Sequence, residues 1–102
     1  MTRIMLVCSA GMSTSLLVTK MNRVIKEKNL DAEAFAVAEA DVKNYVDKVD
    51  VVLLGPQVRY LLNKMQDTFK GTNVKVGIIE TVNYGTMNGE KVLEQAMKLL
   101  EN

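Results

Sequence analysis

The sequence predicts an α/β fold in which a four-stranded parallel open sheet carries helices on both faces, in the order β-α-β-α-β-α-β-α. Short apolar runs alternate with amphipathic stretches of helical spacing along the 102 residues, as in parallel β-α-β structure. Right-handed crossovers that cover both faces place the first strand beside the third, which gives the order 2-1-3-4. The length suits one hydrophobic core, so we expect a single domain, 1–102.

The first strand and helix follow from the spacing of apolar residues. Residues 4–7 form a short apolar run, which predicts a buried strand over residues 3–7. A helix is predicted over residues 13–28, where Ser13 or Thr14 is a suitable N-cap and Asn29 a suitable stop. The residues expected on its sheet-facing side recur at helical spacing: Leu16, Leu17, Met21, Val24 and Ile25.

An alternating pattern predicts the second strand. In residues 31–39 alanine alternates with larger or charged side chains, and this period of two is typical of a strand. Residues 40–49 are predicted as a short helix, which Ala40 or Asp41 opens. Its expected apolar face consists of Val42, Tyr45, Val46 and Val49.

The third strand is the clearest in the sequence. It is predicted over residues 50–55, of which residues 51–54 are a continuous apolar run that begins with two β-branched side chains, as a central parallel strand requires. Pro56 ends the strand, and residues 58–69 are predicted to form the third helix. The residues expected to face inward from this helix are Leu61, Leu62 and Met65.

The C-terminal part is predicted to form the fourth strand, a polar turn and a last helix. Residues 74–79 are the strand, and the polar residues 81–88 are expected to form the turn. The helix begins at Asn88 or Gly89 and ends at Glu101. Its expected inward residues are Val92, Leu93, Ala96, Met97 and Leu100.

The single cysteine, Cys8, follows the first strand and opens a small loop that leads into a helix N-terminus. Backbone N–H groups and the positive end of the helix dipole point into such a loop, so it favours ionisation of a thiol and stabilises a phosphate. A lone cysteine at a strand end is more often a structural residue. Here Gly11 and a cluster of hydroxyl side chains around it favour a functional thiol instead.

Two further segments are expected at the same place. Ligands bind beyond the carboxyl ends of parallel strands, at the point where the strand order reverses. The loops after the first, third and fourth strands should therefore open at one edge of the sheet. They bring Gln57 and Tyr84 as candidate rim residues, although an ordinary turn residue or a packing tyrosine would also fit the sequence.

The composition excludes several classes of function. The chain has no histidine, which removes Cys–His and Ser–His catalytic pairs and most zinc sites. Thirteen basic and twelve acidic residues give a formal charge of +1, and this balance gives no reason to expect nucleic acid or an anionic membrane as partner. We find no signal peptide and no apolar run of about 20 residues, so we expect a cytoplasmic protein.

Two other functions are alternatives for the Cys8 loop: a low-molecular-weight cysteine phosphatase or arsenate-reductase relative, and a receiver module. Cysteine-dependent phosphatases use a Cys-x5-Arg loop whose arginine clamps the phosphoryl oxygens. Here Thr14 stands at the arginine position, and no residue between it and Cys8 is charged. Such a site suits a relay that holds a phosphoryl group without hydrolysing it. A Mg²⁺-dependent receiver module would need acids where the first and third strands end, and these strands end in Cys8 and Gly55.

The segment 8–17, Cys-Ser-Ala-Gly-Met-Ser-Thr-Ser-Leu-Leu, resembles the phosphorylation site of enzyme IIB components of the lactose/cellobiose (chitobiose) type. These components belong to the phosphoenolpyruvate-dependent sugar phosphotransferase system. The resemblance extends over the whole chain and includes residues 54–57 and 84–89. The Ala-Gly-Met-Ser-Thr-Ser form is closer to the cellobiose/chitobiose branch, and Asn88 stands where the family more often has Asp.

The resemblance implies a phosphocarrier without metal or cofactor. Cys8 would accept a phosphoryl group from a phosphohistidine of the IIA component and pass it to a β-linked disaccharide, cellobiose- or chitobiose-like, bound by the membrane component IIC. The protein would sit at the inner face of the membrane through IIC, without inserting itself. Met12 is expected to be an exposed contact for a partner. The residues expected to bind phosphate are Ser9, Ala10, Gly11, Met12, Ser13, Thr14 and Ser15.

Overall fold

The computed structural model describes residues 1–8 and 12–101, except for the side chains of Met12 and Ser13. Four parallel strands form one sheet in the order β2-β1-β3-β4, which confirms the predicted topology. The strands are β1 (Thr2–Cys8), β2 (Ala32–Ala38), β3 (Val51–Leu54) and β4 (Lys75–Ile78). All four carboxyl ends lie at one edge, since Cys8 pairs with Ala38, Val7 with Leu54, and Leu54 with Ile78.

Helices connect the strands and cover both faces of the sheet. The described residues contain the α-helices α1 (Met12–Glu27), α2 (Leu62–Thr68), α3 (Thr81–Gly85) and α4 (Gly89–Glu101). Two 3₁₀ helices, Glu39–Tyr45 and Pro56–Leu61, follow β2 and β3. The two faces hold separate apolar clusters, because alternate residues of a strand point to opposite sides. Ile4 and Leu6 pack with α1 and α4, whereas Met5 and Val7 pack with α2 and the 3₁₀ helices.

The close crossing of α1 and α4 explains why residue 89 is a glycine. A Cβ atom at Gly89 would lie 2.8 Å from the backbone carbon of Lys20 and 2.8 Å from the backbone nitrogen of Met21. These are backbone atoms that cannot rotate away, so only glycine permits this approach. The first residue of α4 thereby sets how closely the two helices pack on one face of the sheet.

The end of α1 agrees with the sequence, but one residue of its predicted inner face does not. Asn29 adopts the left-handed conformation (φ 57°) that terminates the helix. Leu16 was predicted to face the sheet and is instead 52% exposed. The buried stripe runs at four-residue spacing through Leu17, Met21 and Ile25, and Leu16 lies one position outside it.

Three local predictions were also wrong or only approximate. The helix expected over residues 40–49 is the 3₁₀ helix Glu39–Tyr45. The helix after β3, predicted to begin at residue 58, begins at Pro56. Proline fits the first turn of a helix because the backbone N–H groups of that turn have no partner within the helix, so the N–H that proline lacks is not missed. Residues 81–88, expected as a turn, contain α3: Glu80 is extended and its carbonyl accepts the N–H of Tyr84 at 3.0 Å, which closes the first helical turn.

Candidate functional site

Cys8 is the last residue of β1, one of the two central strands of the sheet. It is 1% exposed, and its thiol donates a hydrogen bond to the carbonyl oxygen of Val37, with an S···O distance of 3.8 Å. The chain crosses to one side of β1 to form β2 and to the other side to form β3. Cys8 therefore lies where the strand order reverses, the usual location of a ligand site in an open α/β sheet.

Helix α1 begins at Met12, four residues after Cys8, and has sixteen residues. Its N-terminal N–H groups and dipole supply partial positive charge close to the end of β1. Thr14, in the first turn, is 1% exposed, the one polar side chain buried to this degree among the residues that the structure describes. Its hydroxyl oxygen lies 3.3 Å from the hydroxyl oxygen of Tyr84, so this buried polar group is satisfied.

Two more segments are linked to Thr14 through the hydroxyl of Tyr84. Gln57, in the 3₁₀ helix after β3, donates from Nε2 to the hydroxyl oxygen of Tyr84 at 2.9 Å. Tyr84 belongs to α3, which follows β4. The hydroxyl of Tyr84 therefore joins the segments after β1, β3 and β4, which were expected to open at the same edge. The contribution of these three residues to ligand binding remains a prediction.

Gly55 shapes the position of Gln57, a role that sequence reasoning missed. Gly55 is buried at the end of β3, and a Cβ atom there would lie 2.8 Å from Oε1 of Gln57. The glutamine side chain thus folds back over its own backbone toward Tyr84. The order Gly-Pro-Gln after an apolar strand is the sequence feature that could have pointed to this role. It does not show which side chain occupies the space that a Cβ atom at the glycine would fill.

The junction of Thr14, Gln57 and Tyr84 is built from neutral groups. Arg3 lies at the opposite end of β1, where it binds Glu33 at 2.8 Å and the carbonyl of Lys48 at 3.1 Å. Arg59 is exposed on the 3₁₀ helix after β3, and Arg23 is exposed on α1. No group of three or more His, Cys, Asp or Glu side chains within residues 1–8 and 12–101 is arranged to hold a metal ion.

Several predicted site residues lie outside the described part of the chain. Ser9, Ala10 and Gly11 are not among the described residues, and neither are the side chains of Met12 and Ser13, so the expected exposure of Met12 stays a prediction. Ser15 is exposed on α1. The described part of the site thus offers a buried thiol, a helix N-terminus, and three neutral hydrogen-bonding side chains.

The helices give a separate result on membrane insertion. None of those described combines the length and the apolar character that crossing a bilayer requires.

Comparisons with known proteins agree with one another. A sequence model of the family described as "PTS system, Lactose/Cellobiose specific IIB subunit" matches residues 3–95. The oligo-beta-mannoside-specific EIIB component of Bacillus subtilis is 41% identical, and the match covers 100% of this chain and 99% of that protein. The galactose-specific EIIB component of Lactococcus lactis is also 41% identical, with 95% and 94% covered.

A solved structure resembles this one closely. The solution structure of a cellobiose-specific phosphotransferase IIB component from Borrelia burgdorferi is 44% identical in sequence and superposes with a TM-score of 0.82. The match covers 99% of this chain and 93% of that structure. The similarity therefore extends over the sheet, its helices and the edge that carries Cys8.

Proposed function

This chain belongs to the lactose/cellobiose-specific IIB components of the sugar phosphotransferase system, and from that premise we propose that Cys8 carries the phosphoryl group. As a IIB component it is a phosphotransferase and phosphocarrier of sugar transport. The observation that carries the proposal for Cys8 is its place at the carboxyl end of β1, beside the N-terminus of α1. Cys8 is the only cysteine in the chain, and there is no histidine to serve in its place.

The first step moves a phosphoryl group from a IIA component to sulfur. The Cys8 thiolate attacks the phosphorus of a phosphohistidine, a P–S bond forms, and the P–N bond breaks. The imidazole leaves with the electron pair of that bond and takes up a proton. The loop residues 9–15 would bind the phosphoryl oxygens through backbone N–H groups, with the hydroxyl of Thr14 and the rim residues Gln57 and Tyr84 around them.

The second step returns the thiolate. A hydroxyl of the sugar bound by IIC attacks the phosphorus, an O–P bond forms, the P–S bond breaks, and the hydroxyl proton passes to a base. Both partners must reach the same sulfur, so they use the same edge of the sheet in turn. Docking to IIC would hold the protein at the inner face of the membrane.

A site without charged side chains favours transfer of the phosphoryl group to a partner rather than its hydrolysis by water. In a cysteine-dependent phosphatase the arginine of the loop stabilises the charge that develops on the phosphoryl oxygens. Thr14 stands at that position and contacts Tyr84 instead. Without the arginine, water should attack phosphocysteine slowly, and the group survives until the sugar hydroxyl is presented.

We propose a β-linked disaccharide, cellobiose- or chitobiose-like, as the sugar. The form of the loop, Ala-Gly-Met-Ser-Thr-Ser, supports this assignment. The relatives named above are specific for oligo-beta-mannoside, galactose and cellobiose, so the family includes several sugars. The sugar itself would bind to IIC, and transfer assays with candidate sugars and the matching IIC test this part.

Mass spectrometry of the intact protein tests the carrier residue. The protein is incubated with phosphoenolpyruvate, the general phosphocarrier proteins and a IIA component whose phosphorylation is verified separately. One added phosphoryl group on the wild type and none on Cys8→Ser is the expected result. An equal mass increase in the Cys8→Ser variant would show that another residue is the carrier.

A further inference from the structure

A glutamine of α4 holds the outer edge of β4. Lys75 and Ile79 donate their N–H groups to the carbonyls of Asp50, just before β3, and of Leu54, its last residue, so the backbone groups of Ile78 and Glu80 face the open side of β4. Nε2 of Gln95 donates to the carbonyl of Ile78 at 2.6 Å, and Oε1 accepts the N–H of Glu80 at 3.4 Å. One carboxamide therefore occupies both backbone groups where β4 ends.

These bonds are continuous with the junction at the candidate site. Glu80 directly precedes α3, and its carbonyl accepts the N–H of Tyr84 at 3.0 Å. The hydroxyl of Tyr84 accepts from Gln57 at 2.9 Å and lies 3.3 Å from that of Thr14. A path of hydrogen bonds thus leads from Gln95, through the first turn of α3, to the edge that carries Cys8.

The short length of α3 makes this path important. A helix of five residues has little stability of its own, and none of the five residues of α3 is buried. The ring of Tyr84 packs partly against the apolar cluster beneath α4, and the backbone of Glu80 fixes the start of the helix. We infer that Gln95 is a positioning residue for the Cys8 site, acting through α3 on the hydroxyl of Tyr84.

This inference rests on the proposed function, because its kinetic readout is phosphoryl transfer to Cys8. The variant Gln95→Met keeps the length and the helix propensity of the side chain but removes both hydrogen bonds. Gln66→Met, at an exposed position of α2, is the matched control. We expect Gln95→Met to slow transfer from phosphorylated IIA about tenfold, and Gln66→Met to leave it unchanged.

Nuclear magnetic resonance gives a readout that does not need a partner. With 13C-labelled tyrosine, the signal of the hydroxyl-bearing ring carbon of Tyr84 should shift in Gln95→Met. The signals of Tyr45 and Tyr60 serve as internal references and should not shift. An unshifted Tyr84 signal would overturn the inference even if the variant were less stable than the wild type.

A double-mutant cycle separates positioning from a general loss of stability. If Gln95 acts through the Tyr84 hydroxyl, Gln95→Met has little further effect on the transfer rate in a Tyr84→Phe background. The inference would be overturned if the losses of the two variants were additive, or if Tyr84→Phe transferred at the wild-type rate. In either case phosphorylation of Cys8 would still support the proposed function. A wild type that is never phosphorylated would overturn the proposed function, and the Tyr84 carbon signal would still decide whether Gln95 positions the ring.

Discussion

Thr14 and Tyr84, 70 residues apart in the chain, place their hydroxyl oxygens 3.3 Å from each other at the carboxyl edge of the sheet. Thr14 stands where a cysteine-dependent phosphatase has its arginine, so a neutral contact between two elements replaces a charged clamp. The contact joins the start of α1 to α3, and Gln57 extends it to the segment after β3. Four predictions test how this arrangement and the fold around it work.

Replacing the buried hydroxyl of Thr14 should affect transfer more than folding. Thr14→Val preserves the shape and removes the oxygen, while Tyr84 keeps its hydrogen bond from Gln57, so the free energy of unfolding should fall by only about 1 kcal/mol. Transfer from phosphorylated IIA to Cys8, followed by intact mass, should be slower because a hydroxyl beside the phosphoryl oxygens is lost. Thr19→Val on the exposed side of α1 is the control, and equal transfer rates in both variants would exclude a role for Thr14.

A methyl group at Gly55 should disturb the site without unfolding the protein. The backbone of Gly55 (φ −63°, ψ 150°) suits alanine, but the new Cβ would lie 2.8 Å from Oε1 of Gln57 and force this side chain to move. Gly55→Ala should therefore slow transfer from IIA with little change in Tm. Gly85→Ala is the control, because no atom beyond its chain neighbours and the backbone of its own helix lies within 4 Å of its added Cβ. Similar transfer rates in both variants would contradict the prediction.

The protein should not be an effective phosphatase. Hydrolysis of p-nitrophenyl phosphate, followed by the absorbance of nitrophenolate, should proceed no faster with the wild type than with Cys8→Ser. The reason is that position 14 holds threonine and not arginine, so the charge on the phosphoryl oxygens has no bidentate partner there. Steady turnover that depends on Cys8 would favour the phosphatase alternative over the carrier.

A side chain of α1 should protect the open edge of β2 by occupying its backbone hydrogen-bonding groups. The carboxamide of Asn22 donates to the carbonyl of Ala34 at 2.9 Å and accepts its N–H at 2.9 Å. Asn22→Ala leaves both backbone groups without this partner, so the free energy of unfolding in urea should fall by roughly 1–3 kcal/mol. The freed edge should also increase self-association, measured by light scattering. Asn63→Ala, at an exposed position of α2, should change neither quantity.

Much of the fold follows from local patterns in the sequence. The continuous apolar runs of β1 and β3 predict buried strands, and the handedness of the crossovers leaves few possible strand orders. That reasoning places Cys8 at the reversal of the strand order without reference to coordinates. The α3 segment was missed because five residues are too few to show a helical period.

Residue type and local periodicity are enough to predict the sheet order, the place of Cys8 and the absence of a charged clamp. The folded structure was needed to show that Tyr84 meets Thr14 and Gln57, that Leu16 faces solvent, and that Asn22 and Gln95 bind the two edge strands. Such contacts depend on how a helix lies over a strand that is distant in the chain. Hydrogen bonds need donor and acceptor within about 3 Å, and no local pattern of residues specifies that distance.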